Sequence, residues 1–153
     1  MSSRSAGTTG HKSPIRTAAA VVGAVFLLVG VAGFIPGITT NYDALEIAGH
    51  KSHAELLGIF EVSVLHNVVH LLFGVAGLAL ARSYSGARAF LLGGGAVYLL
   101  LWIYGMLIET DPGKESDFVP FNTADNWLHF ALGLGMIALG LLLGRDRSTA
   151  ARH

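Results

Sequence analysis

Two copies of one polar pattern carry the residues of this sequence that could form a chemical site. In each copy two apolar residues separate an asparagine from a histidine, and three apolar residues separate the histidine from a glycine. The copies consist of Asn67, His70 and Gly74, and of Asn126, His129 and Gly133. Side chains three positions apart share one face of a helix. Each copy therefore presents an amide and an imidazole together, with a glycine one turn further on.

Three hypotheses account for these polar groups. In the first, each Asn and His bonds to a neighbouring helix and fixes the register of the bundle, a device worth about 1 kcal/mol per pair. In the second, His70 and His129 face each other and ligate a haem iron axially, or hold a quinone. In the third, the pairs line an outward-facing pocket for a lipid or a small solute. The sequence favours the first hypothesis and leaves the other two open.

His66, one turn before His70, adds a third imidazole to the same helix. A metal site formed by His66, His70 and His129 is therefore conceivable, and His70 and His129 are the first candidates for ligands. The position equivalent to His66 in the second copy is Asp125. The glycines have a different predicted role, since Gly74 and Gly133 allow two helices to approach closely.

The sequence favours a protein that is not an enzyme. It has no cysteine, which excludes thiolate metal sites, disulfides and cysteine nucleophiles. It also lacks the GxSxG and HExxH patterns of common hydrolases. Membrane lipids are the expected partners, nucleic acid is not, and a second copy or another subunit of a membrane complex remains open.

The elements that must position the two copies are membrane-spanning helices. Hydrophobic residues make up 52% of the chain and charged residues only 13%, whereas soluble domains carry about 25% charged residues. Apolar runs of about 20 residues cross about 30 Å of hydrocarbon. The runs predict spans over residues 16–35, 64–81, 89–108 and 124–144. A short helix on the membrane surface is predicted over 54–62, because this apolar stretch carries two glutamates.

The charge distribution predicts the orientation of the four spans. An even number of spans returns the chain to the side on which it started, so both termini lie on the same side of the membrane. Eight of the ten basic residues lie on the side of the termini, and only Lys51 and Lys114 lie on the other side. The eight are Arg4, Lys12, Arg16, Arg82, Arg88, Arg145, Arg147 and Arg152. The positive-inside rule then predicts cytoplasmic termini. Residues 1–14 form a disordered tail, 15–144 the transmembrane domain and 145–153 a second tail.

An internal duplication relates the spans to one another. The second and fourth spans align at an offset of 59 residues, which matches the two polar copies. The first and third align at an offset of 72 residues, which matches Arg16 with Arg88 and Gly33 with Gly105. Two helices per unit make the repeats parallel, with a pseudo-two-fold axis along the membrane normal. Such an axis brings His70 and His129 toward each other, each about 10 Å along its helix from the N-terminus.

The run Leu65-His-Asn-Val-Val-His-Leu-Leu-Phe-Gly74, together with Asn126-Trp-Leu-His129 and the four-span layout, resembles a bacterial membrane family known as domain of unknown function 4383. The resemblance covers nearly all of residues 15–144. It implies an all-α, four-helix protein of the bacterial plasma membrane and implies no activity. The chain is similar, more distantly, to DoxX-type four-helix membrane proteins, some of which are linked to redox chemistry; this similarity is an analogy of fold.

Overall fold

Four helices and a small antiparallel sheet make up the part of the chain that the computed structural model describes, residues 13–48, 52–109 and 122–145. The helices are α1 (Pro14–Ala32), α2 (Val64–Leu80), α3 (Tyr84–Glu109) and α4 (Thr123–Leu142). The strands are β1 (Thr39–Thr40), β2 (Glu55–Leu56) and β3 (Phe60–Glu61). Residues 1–12 and 146–153 of the two predicted tails and residues 110–121 lie outside the described residues. Pro14, which the sequence places in the first tail, already begins α1.

Three of the four helices are long and apolar enough to cross a membrane: α1, α4 and the segment Tyr84–Leu107 of α3. The helix α2 is equally apolar in character but has 17 residues. The prediction of four helices at these positions is confirmed. The third helix begins earlier than the predicted residue 89, because Ser83 accepts the Gly86 amide and starts the helix directly after the turn.

Glycines bring the helices together in two pairs, α1 with α2 and α3 with α4. A Cβ built on Gly74 would lie 2.8 Å from the Gly23 carbonyl oxygen, and one built on Gly133 would lie 3.0 Å from the Gly95 carbonyl oxygen. Real Cβ atoms need more room than this, so the backbones pass each other at a distance that only glycine allows. Each pair therefore has a glycine contact near its middle.

The region between α1 and α2 contains the sheet, with strand order β1-β2-β3. The prediction of a surface helix over 54–62 is wrong, since these residues form an antiparallel hairpin in which Leu56 pairs with Phe60. Its turn contains Leu57 and Gly58, both at positive φ (57° and 67°), a conformation that glycine adopts freely and leucine rarely. The apolar side chains alternate, so Ala54, Leu56 and Val62 are buried. This period of two is the pattern of a strand.

The two ends of the bundle differ in chemistry. The sheet and the N-termini of α2 and α4 lie at one end, which we call the sheet end. At the other end, the arginine end, Arg16 Nε donates to the Ala81 carbonyl oxygen over 3.1 Å and Tyr84 Oη donates to the Gly144 carbonyl oxygen over 2.6 Å. These bonds satisfy carbonyls at the C-terminal ends of α2 and α4, which lack partners within the helix.

Candidate functional site

A small cavity lies at the sheet end, between the helices and beneath the sheet. Its volume is about 120 Å³. Three imidazoles, one phenol and one carboxyl group supply its polar lining: His66, His70, Tyr98, Asp125 and His129. Apolar residues of the sheet, Leu56, Leu57 and Phe60, cover it. We call this cavity the histidine chamber.

Two of the imidazoles belong to α2 and stack on each other. The ring centroids of His66 and His70 are 4.4 Å apart with an interplanar angle of 26°. Nδ1 of His70 lies 3.0 Å from the His66 carbonyl oxygen, which makes this nitrogen the protonated one of a neutral ring. The Nε2 atom of His70 is then the hydrogen-bond acceptor. The buried Nδ1 of His66 has no hydrogen-bond partner in the described part of the chain.

An aromatic ladder connects the imidazoles of α2 and α4 through the middle of the bundle. The Phe26 ring packs on His70 with centroids 5.5 Å apart, and the Tyr98 ring packs on His129 with centroids 5.2 Å apart. Their interplanar angles are 57° and 58°. Phe26 and Tyr98 contact each other at 5.3 Å. Centroid distances of this size are those of favourable aromatic pairs.

The sheet that covers the chamber is fastened to the N-terminus of α4. Asn122 caps this helix by accepting the Asp125 amide over 2.9 Å, and Asp125 Oδ2 accepts the Asn122 amide in return. Both side chains also bind the hairpin: Asn122 Nδ2 donates to the Ile59 carbonyl oxygen over 2.7 Å, and the Glu61 amide donates to Asp125 Oδ2 over 3.0 Å. The cap of α4 and the cover of the chamber therefore form one hydrogen-bonded unit.

The helix α2 has a simpler cap, in which Ser63 Oγ accepts the His66 amide over 3.1 Å. Such a hydroxyl satisfies an amide of the first turn, which otherwise lacks a partner within the helix. Ser63 is fully buried. Main-chain amides at the start of α2 also donate to the connection between α1 and α2, for example the Val64 amide to the Glu46 carbonyl oxygen over 3.0 Å.

The two asparagines lie apart from the chamber, although they share a helix face with its histidines. Asn67 and Asn126 are each 1% exposed. A Cβ built on Gly33 would overlap the Asn67 carboxamide, and one built on Gly105 would overlap the Asn126 carboxamide. Each asparagine thus fills the space left by a glycine on the neighbouring helix. The five residues predicted as one polar site divide into these two packing positions and three chamber-lining histidines, His66, His70 and His129.

Comparison with known proteins gives a family. A sequence model of the family described as "Domain of unknown function (DUF4383)" matches residues 16–142. The chain belongs to this family. The match covers all four helices and the sheet, which confirms the resemblance drawn from the HNxxHxxxG segment. No curated protein and no solved structure matches the chain.

Sequence analysis missed two chamber residues of this DUF4383 protein, Tyr98 and Asp125. A signal for Tyr98 existed, because the alignment of the first and third spans sets it opposite Phe26, and the added hydroxyl is the difference between them. Asp125 was identified only as the counterpart of His66. The hairpin cover had a signal as well, in the alternation of Ala54, Leu56, Phe60 and Val62.

The chamber is better suited to a small molecule than to a metal ion or a haem. Within residues 13–48, 52–109 and 122–145, no three His, Asp or Glu side chains are grouped so as to hold a metal ion. Sites for drug-sized molecules occupy about 300–1,000 Å³, well above the 120 Å³ of this chamber. The space therefore suits one small solute and not a large cofactor.

Proposed function

We propose that this protein spans the bacterial plasma membrane four times and binds a small solute in the histidine chamber. The observation that carries the proposal is the chamber itself, a mostly apolar cavity covered by the sheet, on which residues with polar groups converge from three helices. Concave, mostly apolar sites with a few convergent polar groups are the usual form of a ligand site.

The fourth span in this proposal is α2. Its 17 residues extend about 25 Å, near the lower limit for crossing the hydrocarbon layer. Large apolar side chains on its outer face support contact with lipid, since Val69 is 48%, Leu72 65% and Val75 57% exposed. Monomeric soluble proteins rarely expose contiguous apolar surface of this kind.

The proposed orientation puts both termini in the cytoplasm and the sheet end outside. Its support is the concentration of basic residues at the arginine end. Reporter fusions test it: a fluorescent protein joined after His153 should be bright, whereas one inserted after Gly113 should be dark because it folds poorly after export. The opposite pair of signals would contradict the proposal, because it would arise from a reversed orientation or from an α2 that does not cross the membrane. Equal signals would show that α4 does not cross it.

We further propose that the two helix pairs arose by duplication and are related by a pseudo-two-fold axis. Three sets of matched contacts support this: the glycine contacts near the middle of each pair, the Asn–Gly contacts, and the aromatic–imidazole contacts. The last pair, Phe26–His70 and Tyr98–His129, agrees to within 0.3 Å in centroid distance and 1° in interplanar angle. The residues in each set correspond at the offsets of 59 and 72 residues that the sequence alignment requires.

Within this proposal the asparagines hold the bundle together and the histidines bind the solute. Asn67 and Asn126 complement glycines and do not line the chamber. A neutral imidazole has one donor and one acceptor nitrogen, and a phenol adds one hydroxyl. Most of the chamber surface is apolar, so these groups provide few polar contacts beside the ring and side-chain carbons that a small solute would meet. A haem or quinone is disfavoured by the cavity size and by the stacking of His70 on His66.

Thermal unfolding of the purified, detergent-solubilised protein tests the chamber. The probes are small polar solutes at millimolar concentration: imidazole, acetate, urea and glycerol. We expect at least one of them to raise the melting temperature, because a ligand that binds only the folded state stabilises it. The chamber-filling variant Leu132→Trp should remove the shift.

The matched control is Leu134→Trp, on the same helix but 47% exposed on its outer face; it should keep the shift. The proposal fails if no probe stabilises the wild type, or if Leu132→Trp and Leu134→Trp respond to the probes alike. An optical spectrum of the same sample provides a second check. A Soret band that disappears in His70→Ala or His129→Ala would replace the solute hypothesis with the haem hypothesis.

A further inference from the structure

A second concave site lies at the arginine end, between α1 and α2 and far from the histidine chamber. This groove has a volume of about 360 Å³. Its mouth is formed by Arg16, near the start of α1, and Arg82, just after the end of α2, and its wall by small and apolar residues. The remaining lining residues are Thr17, Ala20, Val21, Ala24, Leu78 and Ala81. We call it the arginine groove.

The two arginines give the mouth of the groove a positive charge that the described residues leave uncompensated. Among the described residues that line the groove, none is acidic. The bond from Arg16 Nε to the Ala81 carbonyl oxygen fixes the direction of that guanidinium and leaves its two terminal nitrogens as donors. Arg82 is exposed at the same mouth. Guanidinium groups bind phosphate through paired hydrogen bonds, and two of them favour a phosphate strongly.

The wall of the groove is apolar and runs along the helix from the charged mouth. Arg16, Ala20 and Ala24 follow one another at four-residue intervals on α1, which covers about 12 Å along the helix axis. The small alanine side chains form the floor. Val21 and Leu78 form the sides and are 57% and 39% exposed. A floor this long and apolar suits a hydrocarbon chain that starts at the charged mouth.

We propose that the arginine groove binds one anionic phospholipid, with its phosphate on Arg16 and Arg82 and the first part of an acyl chain along the alanine floor. Charge complementarity argues for an anionic lipid. The apolar floor argues for a lipid over a free phosphate, because it would gain nothing from a ligand without a hydrocarbon chain. The cytoplasmic leaflet, where the proposed orientation puts this end, contains anionic lipids that attract basic residues.

This proposal goes beyond the histidine chamber and does not depend on a ligand there. It rests on two parts of the proposed function, the insertion of the bundle in a membrane and the orientation that puts the arginine end at the cytoplasmic leaflet. The two binding proposals fail independently, since the variants used for one lie at the opposite end of the bundle from the variants used for the other.

Native mass spectrometry of the full chain in detergent, titrated with phosphatidylglycerol or phosphatidylcholine, measures the binding. We expect phosphatidylglycerol to bind more tightly. Arg82→Gln should weaken phosphatidylglycerol binding about fivefold and leave phosphatidylcholine nearly unchanged, since one basic residue near the membrane surface contributes about 1 kcal/mol. Arg82 is a better residue for this test than Arg16, because the Arg16 side chain also stabilises the end of α2 by donating to the Ala81 carbonyl oxygen.

Two matched controls separate charge from shape. Arg88→Gln removes the same charge from an exposed residue of α3 outside the groove, and phosphatidylglycerol should bind this variant as it binds the wild type. Ala24→Leu fills the floor without changing the charge and should also weaken binding about fivefold, whereas Ala96→Leu, on the exposed face of α3, should not.

Three results would overturn the proposal. In the first, phosphatidylglycerol and phosphatidylcholine bind equally. In the second, Arg82→Gln and Arg88→Gln lose the same affinity, which would indicate attraction by net charge alone. In the third, sn-glycerol 3-phosphate displaces the lipid at the same concentration as soluble short-chain phosphatidylglycerol, which would make the site a phosphate site. If Ala24→Leu does not fold, Arg82→Gln still tests the proposal, because Arg82 is exposed.

Discussion

The two helix pairs share their contacts in the middle of the bundle and differ at the sheet end. In both pairs a glycine lies against the partner backbone, an asparagine lies against a second glycine, and an aromatic ring packs on a histidine. At the sheet end, however, the first pair has His66 where the second has Asp125. The α2 terminus has a single serine cap, whereas the α4 terminus has a capping box whose residues also bind the hairpin.

This difference separates what builds the bundle from what builds the chamber. The matched contacts depend on backbone approach, and both pairs need them to hold two helices together. The chamber depends on the unmatched residues. His66 stacks on His70 within one pair, while Asp125 holds the cover from the other. The two helix pairs thus match in these contacts, and the residues that make the chamber asymmetric lie at the sheet end.

The largest expected effect comes from breaking the shared glycine contacts. Gly74→Leu and Gly133→Leu should each lower the free energy of unfolding by about 3 kcal/mol, because the added side chain must push two backbones apart. Gly135→Leu is the control on α4: a Cβ there meets nothing within 4 Å, so its cost should stay below about 1 kcal/mol. Unfolding titrations in mixed detergent micelles measure all three. Equal costs at Gly133 and Gly135 would contradict the close approach.

A double-mutant cycle tests whether the asparagines complement the glycines in both pairs. Gly33→Ala alone should cost about 2 kcal/mol, because its methyl group overlaps the Asn67 carboxamide. In an Asn67→Ala background that cost should nearly vanish, which gives a coupling energy of about 1–2 kcal/mol. The cycle at Gly105 and Asn126 should give a similar value. Additive effects in either cycle would show that the asparagine and the glycine are independent.

The caps of α2 and α4 should differ in strength. Ser63→Ala removes one cap bond and should cost about 1 kcal/mol. Asn122→Ala removes a cap and also the bond to the Ile59 carbonyl oxygen, so it should cost about 2 kcal/mol. Asn122→Ser, which introduces the cap residue of the other copy, should restore only the cap. Melting temperatures rank the three variants, and a loss in Asn122→Ala no larger than that in Ser63→Ala would argue against the fastening of the hairpin.

The smallest effect concerns the hairpin, which lies between α1 and α2. Glu55 lies directly opposite Glu61 across β2 and β3, and like charges in that position oppose pairing. Glu55→Thr should therefore stabilise the hairpin by less than about 1 kcal/mol. Hydrogen exchange of the Val62 amide, which donates to the Ala54 carbonyl oxygen, reports the change. Glu46→Thr, outside the strands, should leave that exchange rate unaltered; faster exchange in Glu55→Thr would contradict the prediction.

Much of the bundle could be predicted, because helices of this length depend on local apolar runs and on caps that the sequence displays. The four helices fall where the apolar runs predict them, and Ser63 caps α2. The hairpin is not evident from the sequence, because Glu55 and Glu61 within an apolar stretch indicate a helix on the membrane surface. The alternating apolar residues between Ala54 and Val62 indicate strands instead. Leu57 also does not indicate the turn in which it lies, because leucine is uncommon at positive φ.

The sequence by itself determined the helices, the family and the spacing of each Asn, His and Gly, since these follow from residue type and position along one chain. Only the tertiary structure decided what each polar side chain meets. Asn67 and His70 are three residues apart, so they differ in direction by about 60° around the helix axis. That angle is enough for one to contact a glycine of α1 while the other lines the chamber. Which neighbour occupies each direction depends on the packing of all four helices, because a single helix does not fix where its neighbours lie.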